Sequence, residues 1–192
     1  SCNIKSMAKD VRTETPFWLM KNGFLNPYFS LTQDLKTDVV ILGGGISGAL
    51  LAHSLSEKGV AVVLLERGHM AMGSTAASTA LLQYDIDLAL HELVDRMGEK
   101  RAVRAYELSL RALNDLIEID PKLDGDTELT KRPSLRLART KKDAAFLEKE
   151  YEARSRSGFD VELWDATRIT KNLPFAWPAV LETTPSATAD PY

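Results

Sequence analysis

The stretch that most constrains this chain is Gly43-Gly44-Gly45-Ile46-Ser47-Gly48, with four glycines in six residues. A run like this weakens any helix or strand it sits in, so it marks a turn between elements. Before it comes Thr37–Leu42, ending in the apolar run Val39-Val40-Ile41-Leu42. Such a run predicts a strand buried on both faces of a parallel sheet. After it, Ile46, Ala49, Leu50, Ala52 and Leu55 have a spacing that suits a helix, which Lys58 and Gly59 stop. Val60–Leu65 is a second apolar run, closed by Glu66. Strand, glycine turn, helix and strand within roughly 30 residues make a right-handed βαβ unit over 38–66, and hence an α/β fold.

Gly43, Gly45 and Gly48 fill the three positions of G-x-G-x-x-G. The first allows a sharp turn out of the strand. The second lets a pyrophosphate approach the backbone, and the third lets helix and strand pack closely. Ile46 and Ser47 open the helix, where free N–H groups and the positive dipole end attract phosphates. The G-K-[ST] of a P-loop is absent. Glu66 lies near the roughly 20-residue offset of a ribose-binding acid. Its carboxylate suits ribose hydroxyls and repels a 2′-phosphate, although Arg67 stands beside it. A structural glycine turn or a methyltransferase loop accounts for the glycines alone. The flanking strand and helix and the spaced acid together favour the ADP half of a dinucleotide.

The rest of the chain reads mostly helical. Thr15–Leu35 is aromatic and loop-like, an N-terminal arm over a neighbouring core. Helices are expected over Leu88–Met97, Arg101–Ile119 and Lys141–Ser157, the last with Ala144, Leu147 and Tyr151 in its buried stripe and Gly158 at its end. Short strands are expected at Leu135–Leu137, Val161–Trp164 and Ala179–Thr183, with Asp165 capping a helix to Lys171. Pro121–Asp126 is a loop.

Lys and Arg number 24 against 27 Asp and Glu, for a net charge of −3, which gives no footing for nucleic-acid binding. The single cysteine, Cys2, allows no internal disulfide and fits a reducing, cytoplasmic setting. Near the chain start it is a poor candidate nucleophile. No stretch approaches the roughly 20 apolar residues of a membrane helix, and Ser1–Arg12 lacks the apolar core of a secretory signal. His53, His69 and His91 show no metal-binding spacing and read as structural or exposed. Asp85 and Asp87 read as solvated loop charges, Trp164 and Trp177 as packing residues, and Gln83 and Tyr84 receive no role.

The segment Glu66-Arg67-Gly68-His69-Met70-Ala71-Met72-Gly73-Ser74-Thr75-Ala76-Ala77-Ser78-Thr79-Ala80 resembles the FAD-dependent amine and amino-acid oxidoreductases of the D-amino-acid oxidase superfamily. Glycine, sarcosine and glutamylputrescine oxidases belong to it, and glycerol-3-phosphate dehydrogenase is a more distant relative. Pro16-Phe17-Trp18, Ser134–Thr140 with its following charged helix, Val161–Asp165 and Ala189-Asp190-Pro191-Tyr192 extend the similarity over about 15–192.

The resemblance implies FAD, with Gly73, Ser74, Thr75 and Ser78 lining its path past the pyrophosphate. The competing reading is an ordinary helix start with Ser74 or Thr75 as cap, and the FAD role is favoured over it. Some relatives attach FAD through a histidine after the Ser-Thr pair. Here Ala76 and Ala77 follow, which implies non-covalent FAD. The implied fold is a Rossmann-like FAD-binding domain with a helical insertion and the start of a substrate-binding region. Its expected divisions are an N-terminal arm over 1–36, an incomplete Rossmann-like FAD/NAD(P)-binding domain over 37–140, and over 141–192 the remainder of that domain with the start of the substrate domain. The family continues well past the position of Tyr192, so the chain reads as an N-terminal half, with association of uncovered faces expected.

The implied function is an oxidoreductase that moves a hydride from a small amine or amino acid to the flavin, with no catalytic residue assigned. An NAD-dependent dehydrogenase would instead show continued β-α alternation after Glu66. A non-catalytic nucleotide-binding fragment is the other reading.

Overall fold

The computed structural model describes residues 15–23 and 28–192. Cys2 and the Phe24-Asn26-Pro27 part of the aromatic segment lie outside the described residues. The chain divides into two compact units, one ending at Thr79 and joined by Pro191–Tyr192, the other running from Ala80 to Asp190.

In the first unit, α1 (Phe17–Asn22) stands where the sequence read only loop. Pro16 at φ −59° leads into it, and Gly23 at φ +68° closes it by donating its N–H to the Leu19 carbonyl. The βαβ unit follows as β1 (Val39–Leu42), α2 (Ile46–Ser56) and β2 (Val62–Leu65). The strands pair in parallel, Val39 opposite Val62 through Leu42 opposite Leu65. Side chains extend the ladder: Thr37 Oγ1 donates to the Ala61 carbonyl at 2.8 Å, and the Ala61 N–H donates to Asp38 at 3.2 Å. Gly59, at φ +73°, turns the chain from α2 into β2.

The expected burial of β1 on both faces does not hold. Ile41 is buried, whereas Val40 and Leu42 are 54% and 80% exposed. Alternate residues of a strand face opposite ways, and α2 packs on the side that Ile41 faces.

The second unit begins with β3 (Leu81–Gln83), α3 (Leu90–Met97) and α4 (Glu99–Ile119). A 3-10 turn at Asp120–Lys122 leads to β4 (Thr130–Lys131) and β5 (Ser134–Ala138). Then come α5 (Lys141–Arg156), β6 (Val161–Trp164), α6 (Ala166–Asn172), β7 (Ala179–Thr183) and β8 (Ser186–Thr188). Two antiparallel sheets result, one with β7 between β5 and β6, the other with β8 between β3 and β4. Residues on both sides of position 140 lie in this unit, with α5 packed on the β5-β7-β6 sheet. After β2 the pairing is antiparallel, not the β-α alternation of an NAD-dependent dehydrogenase.

α5 starts with a reciprocal cap: the Asp143 N–H donates to Thr140 Oγ1, and the Thr140 N–H donates to Asp143 at 2.9 Å. One face carries Leu147 into a core with Ala138, Ala179 and Leu181, with Ala144 and Tyr151 packed beside it. The same buried side widens to take in Glu150, Ala153 and Arg154. Tyr84, Leu90, Leu93, Tyr106, Leu113 and Phe159 form the second core around Ala153.

Arg154 is fully buried and donates to Glu150 and to Asp85, each at 2.5 Å. Its guanidinium lies 5.0 Å from the Tyr106 ring centroid. Glu150 in turn accepts the Leu90 and His91 N–H groups at 2.8 and 3.1 Å and contacts His91 Nδ1 at 2.8 Å. It thereby caps α3, whose own N-cap residue, Ala89, has no acceptor side chain. Asp85 is therefore corrected from a solvated loop charge to a partner of a buried cation, while Asp87 is exposed. Trp164 does more than pack: its Nε1 donates to Glu182 at 2.6 Å.

Candidate dinucleotide site

The turn from β1 into α2 is held from both sides by the segment after β2. The Gly43 N–H continues the ladder by donating to the Leu65 carbonyl at 2.8 Å, and Gly43 adopts φ +109°. Next in the turn, the Gly44 N–H donates to Glu66 Oε2 at 2.7 Å. The other oxygen of Glu66 accepts the Gly68 N–H at 2.9 Å. These two backbone donors lower the pKa of the Glu66 carboxyl below the usual carboxylate range, so the group is anionic at neutral pH. A carboxylate has about four acceptor positions, which leaves about two beyond the Gly44 and Gly68 N–H groups.

At the far end of the turn, Gly45 is the N-cap of α2 and supplies no capping side chain. Thr75 reaches over from the segment after β2, and its Oγ1 accepts the Ile46 N–H at 3.0 Å. Ser47 and Gly48 follow in the first turn of α2, where N–H groups have no intrahelical acceptor. A Cβ on Gly45 would stand 3.3 Å from Thr75 Oγ1, so a side chain there would narrow the approach to these donors. A Cβ on Gly48 would stand 2.0 Å from the Gly43 carbonyl oxygen and 3.5 Å from Ile41 Cγ2. Gly48 is thus where helix and strand meet.

A cleft of about 580 Å³ opens over this turn. It brings together Gly43, Gly45, Ile46, Ser47, Gly48, Glu66, Arg67, Gly73, Ser74 and Thr75. Ser78 does not line it; its carbonyl instead accepts the Trp18 Nε1–H at 2.8 Å. Residues 70–77 form a succession of turns rather than a helix, so neither Ser74 nor Thr75 opens a helix in its own segment.

Sequence reasoning passed over Gly44, which it counted as a free position of the motif. A Cβ there would stand 2.1 Å from Met70 Sδ and 3.0 Å from the Glu66 Cβ. The Gly44 carbonyl also accepts the Ala71 N–H at 2.8 Å, with Ala71 at φ +59°. The unbroken run Gly43-Gly44-Gly45, one glycine more than the motif needs there, was the one available signal. Among the described residues no group of three His, Cys, Asp or Glu could hold a metal ion, and no helix is long and apolar enough to cross a membrane.

Residues 38–192 match the FAD dependent oxidoreductase (DAO) family. The chain belongs to this family. Its members' cofactor is FAD, and the cleft suits that group: an anionic carboxylate with acceptor positions to spare, a glycine N-cap, and the Ser47 and Gly48 N–H groups without intrahelical acceptors. The chain is 46% identical to the aerobic glycerol-3-phosphate dehydrogenase of Staphylococcus saprophyticus over 79 residues, which is 39% of this chain and 14% of that one. Among solved structures it resembles the L-amino acid deaminase from Proteus vulgaris, with a TM-score of 0.64, 20% identity, and coverage of 88% of this chain and 38% of that one. It also resembles the L-alpha-glycerophosphate oxidase from Mycoplasma pneumoniae with FAD bound, with a TM-score of 0.61, 21% identity, and coverage of 82% and 40%. The chain spans 26% and 33% of the length of the first two curated relatives it matches.

Proposed function

We propose that this chain supplies the cofactor-binding part of an oxidoreductase that takes a hydride from a small amine or amino acid onto non-covalently held FAD. One observation carries the reading: an anionic Glu66 and the start of α2, whose N-cap Gly45 supplies no side chain, face a single cleft across a turn of glycines. In this reading Glu66 orients the adenosine ribose, and the N–H groups of Ser47 and Gly48 receive the pyrophosphate. Gly45 leaves room for its approach, and Gly73, Ser74 and Thr75 wall the cleft beyond it. Ser78 supports that wall from behind. Ala76 and Ala77 offer no nucleophile, which supports a non-covalent bond to the protein. Bound FAD supplies the hydride acceptor, and the protein positions it and sets its surroundings.

A CH–NH donor is favoured by the likeness to the L-amino acid deaminase, whose structure covers the larger share of this chain. The 46% identity to a glycerol-3-phosphate dehydrogenase favours a second reading, a hydroxyl-bearing phosphate ester as donor. The test is a visible absorption spectrum of the purified protein after incubation with FAD and desalting. Retained oxidised-flavin bands support the cofactor reading, and a folded protein that stays colourless refutes it. Anaerobic addition of amino acids, amines or glycerol 3-phosphate to the full-length enzyme then separates the donors by which one bleaches those bands.

A further inference from the structure

The helix α1 has no buried residue, so core packing does not explain where it sits. Its anchor is Trp18, whose indole N–H donates to the Ser78 carbonyl across 60 residues of sequence. Phe17 packs edge-on against the indole at 5.0 Å, and the Lys21 ammonium lies 5.4 Å from its centroid. A hydrogen-bonded relay runs on from Ser78. The Ser78 N–H donates to the Thr75 carbonyl at 3.2 Å, and the Ala76 N–H donates to the Ala71 carbonyl at 3.0 Å. Thr75 Oγ1 then meets the Ile46 N–H at the start of α2. The segment between β2 and Thr79 has no helix or strand of its own. Ordering such a segment costs conformational entropy, and a contact that fixes it in advance spares a ligand that cost.

We propose that Trp18 is a positioning residue for the cofactor cleft, holding the Gly73–Ser78 wall in its binding geometry. The proposal rests on the reading of the cleft as an FAD site. Trp18 touches neither the glycine turn nor Glu66. It acts on the cleft through Ser78 and Thr75, on the wall that meets the turn at Gly45 and Ile46 rather than on the one that meets it at Gly44.

Trp18→Phe keeps an aromatic ring, smaller than the indole, and removes the N–H. Two readouts are taken on the protein and this variant: the FAD dissociation constant, and amide hydrogen exchange at Ala76 and Ser78 compared with the β1–β2 ladder. The expected result is faster exchange at Ala76 and Ser78, an unchanged ladder, and FAD binding weakened about fivefold to tenfold, the loss of one hydrogen bond. Unchanged FAD binding overturns the proposal, whatever happens to exchange. Faster exchange throughout the first unit also overturns it, because Trp18 would then be a general stabilising contact. Wild-type protein that fails to bind FAD overturns the reading of the cleft and this proposal with it. Wild-type binding equalled by the variant overturns this proposal alone.

Discussion

Gly48 and Gly44 sit four residues apart in the same turn and meet opposite kinds of neighbour. A methyl group on Gly48 would press into the Gly43 carbonyl, a backbone atom fixed by the ladder. On Gly44 it would press first into Met70 Sδ, near the end of a flexible side chain that can turn aside. Gly48→Ala is therefore expected to cost about 1–3 kcal/mol, and Gly44→Ala clearly less. Urea unfolding of the two variants decides the order. Glu66 carries a different prediction. Glu66→Gln keeps an acceptor oxygen but removes the charge, and is expected to weaken FAD binding by about tenfold or more. Because its folded-state pKa is lowered, the carboxylate's contribution is present at neutral pH and is lost only as pH falls through that lowered value. FAD affinity titrated from neutrality downward should stay level through the ordinary carboxylate range and drop below it.

At the scale of elements, α5 organises the second unit. Its apolar stripe was legible at helical spacing, but the widening of its buried side to Glu150 and Arg154 was not, because both read as solvent charges on any hydropathy count. Only the arrival of the α3 start and of Asp85 beside them makes burial tolerable. Burial by itself raises the Glu150 pKa; Arg154 and the Leu90 and His91 N–H groups overcome it and hold it low. Arg154→Met would leave two carboxylates without their cation and should destabilise the fold by about 3–5 kcal/mol. Combined with Glu150→Met, the cost should fall short of the sum of the two single variants. Chemical denaturation followed by circular dichroism measures both. At the start of the same helix, Thr140→Ala should cost about 0.5–2 kcal/mol through loss of the cap.

For the molecule as a whole, pH stability has two limbs set by different groups. On the acid side, Glu150 has a lowered folded pKa, so its contribution survives through the usual carboxylate range and is lost below it. On the alkaline side, burial pushes the Tyr84 hydroxyl from 10.0 up to about 12. That stabilisation is complete below pH 10.0, the value of the unfolded chain, and declines as pH rises toward 12. The Tyr84 hydroxyl is buried without a hydrogen-bond partner among the described residues. Tyr84→Phe should therefore cost little at neutral pH and move alkaline unfolding upward, as read from thermal melts at stepped pH.

The sequence by itself determined the βαβ unit, the glycine turn, the acid at the end of β2 and the places of α3 to α6, because each is written in local spacing: apolar runs, helical periodicity, caps and glycines. It also carried the family. What only the tertiary structure decided is less local. The strands β3, β4 and β8 have two or three residues each, too few for a period to show, and exist through their partners. The helix α1 reads as loop until Trp18 finds the Ser78 carbonyl. Gly44 counts as a free motif position until Met70 and Glu66 close over it. Arg154 is a surface residue in any one-dimensional reading until Asp85, 69 residues earlier in the chain, and Glu150 enclose its charge. The physical reason is common to all four: burial and hydrogen bonding between residues far apart in sequence leave no periodic trace in either of the segments they join.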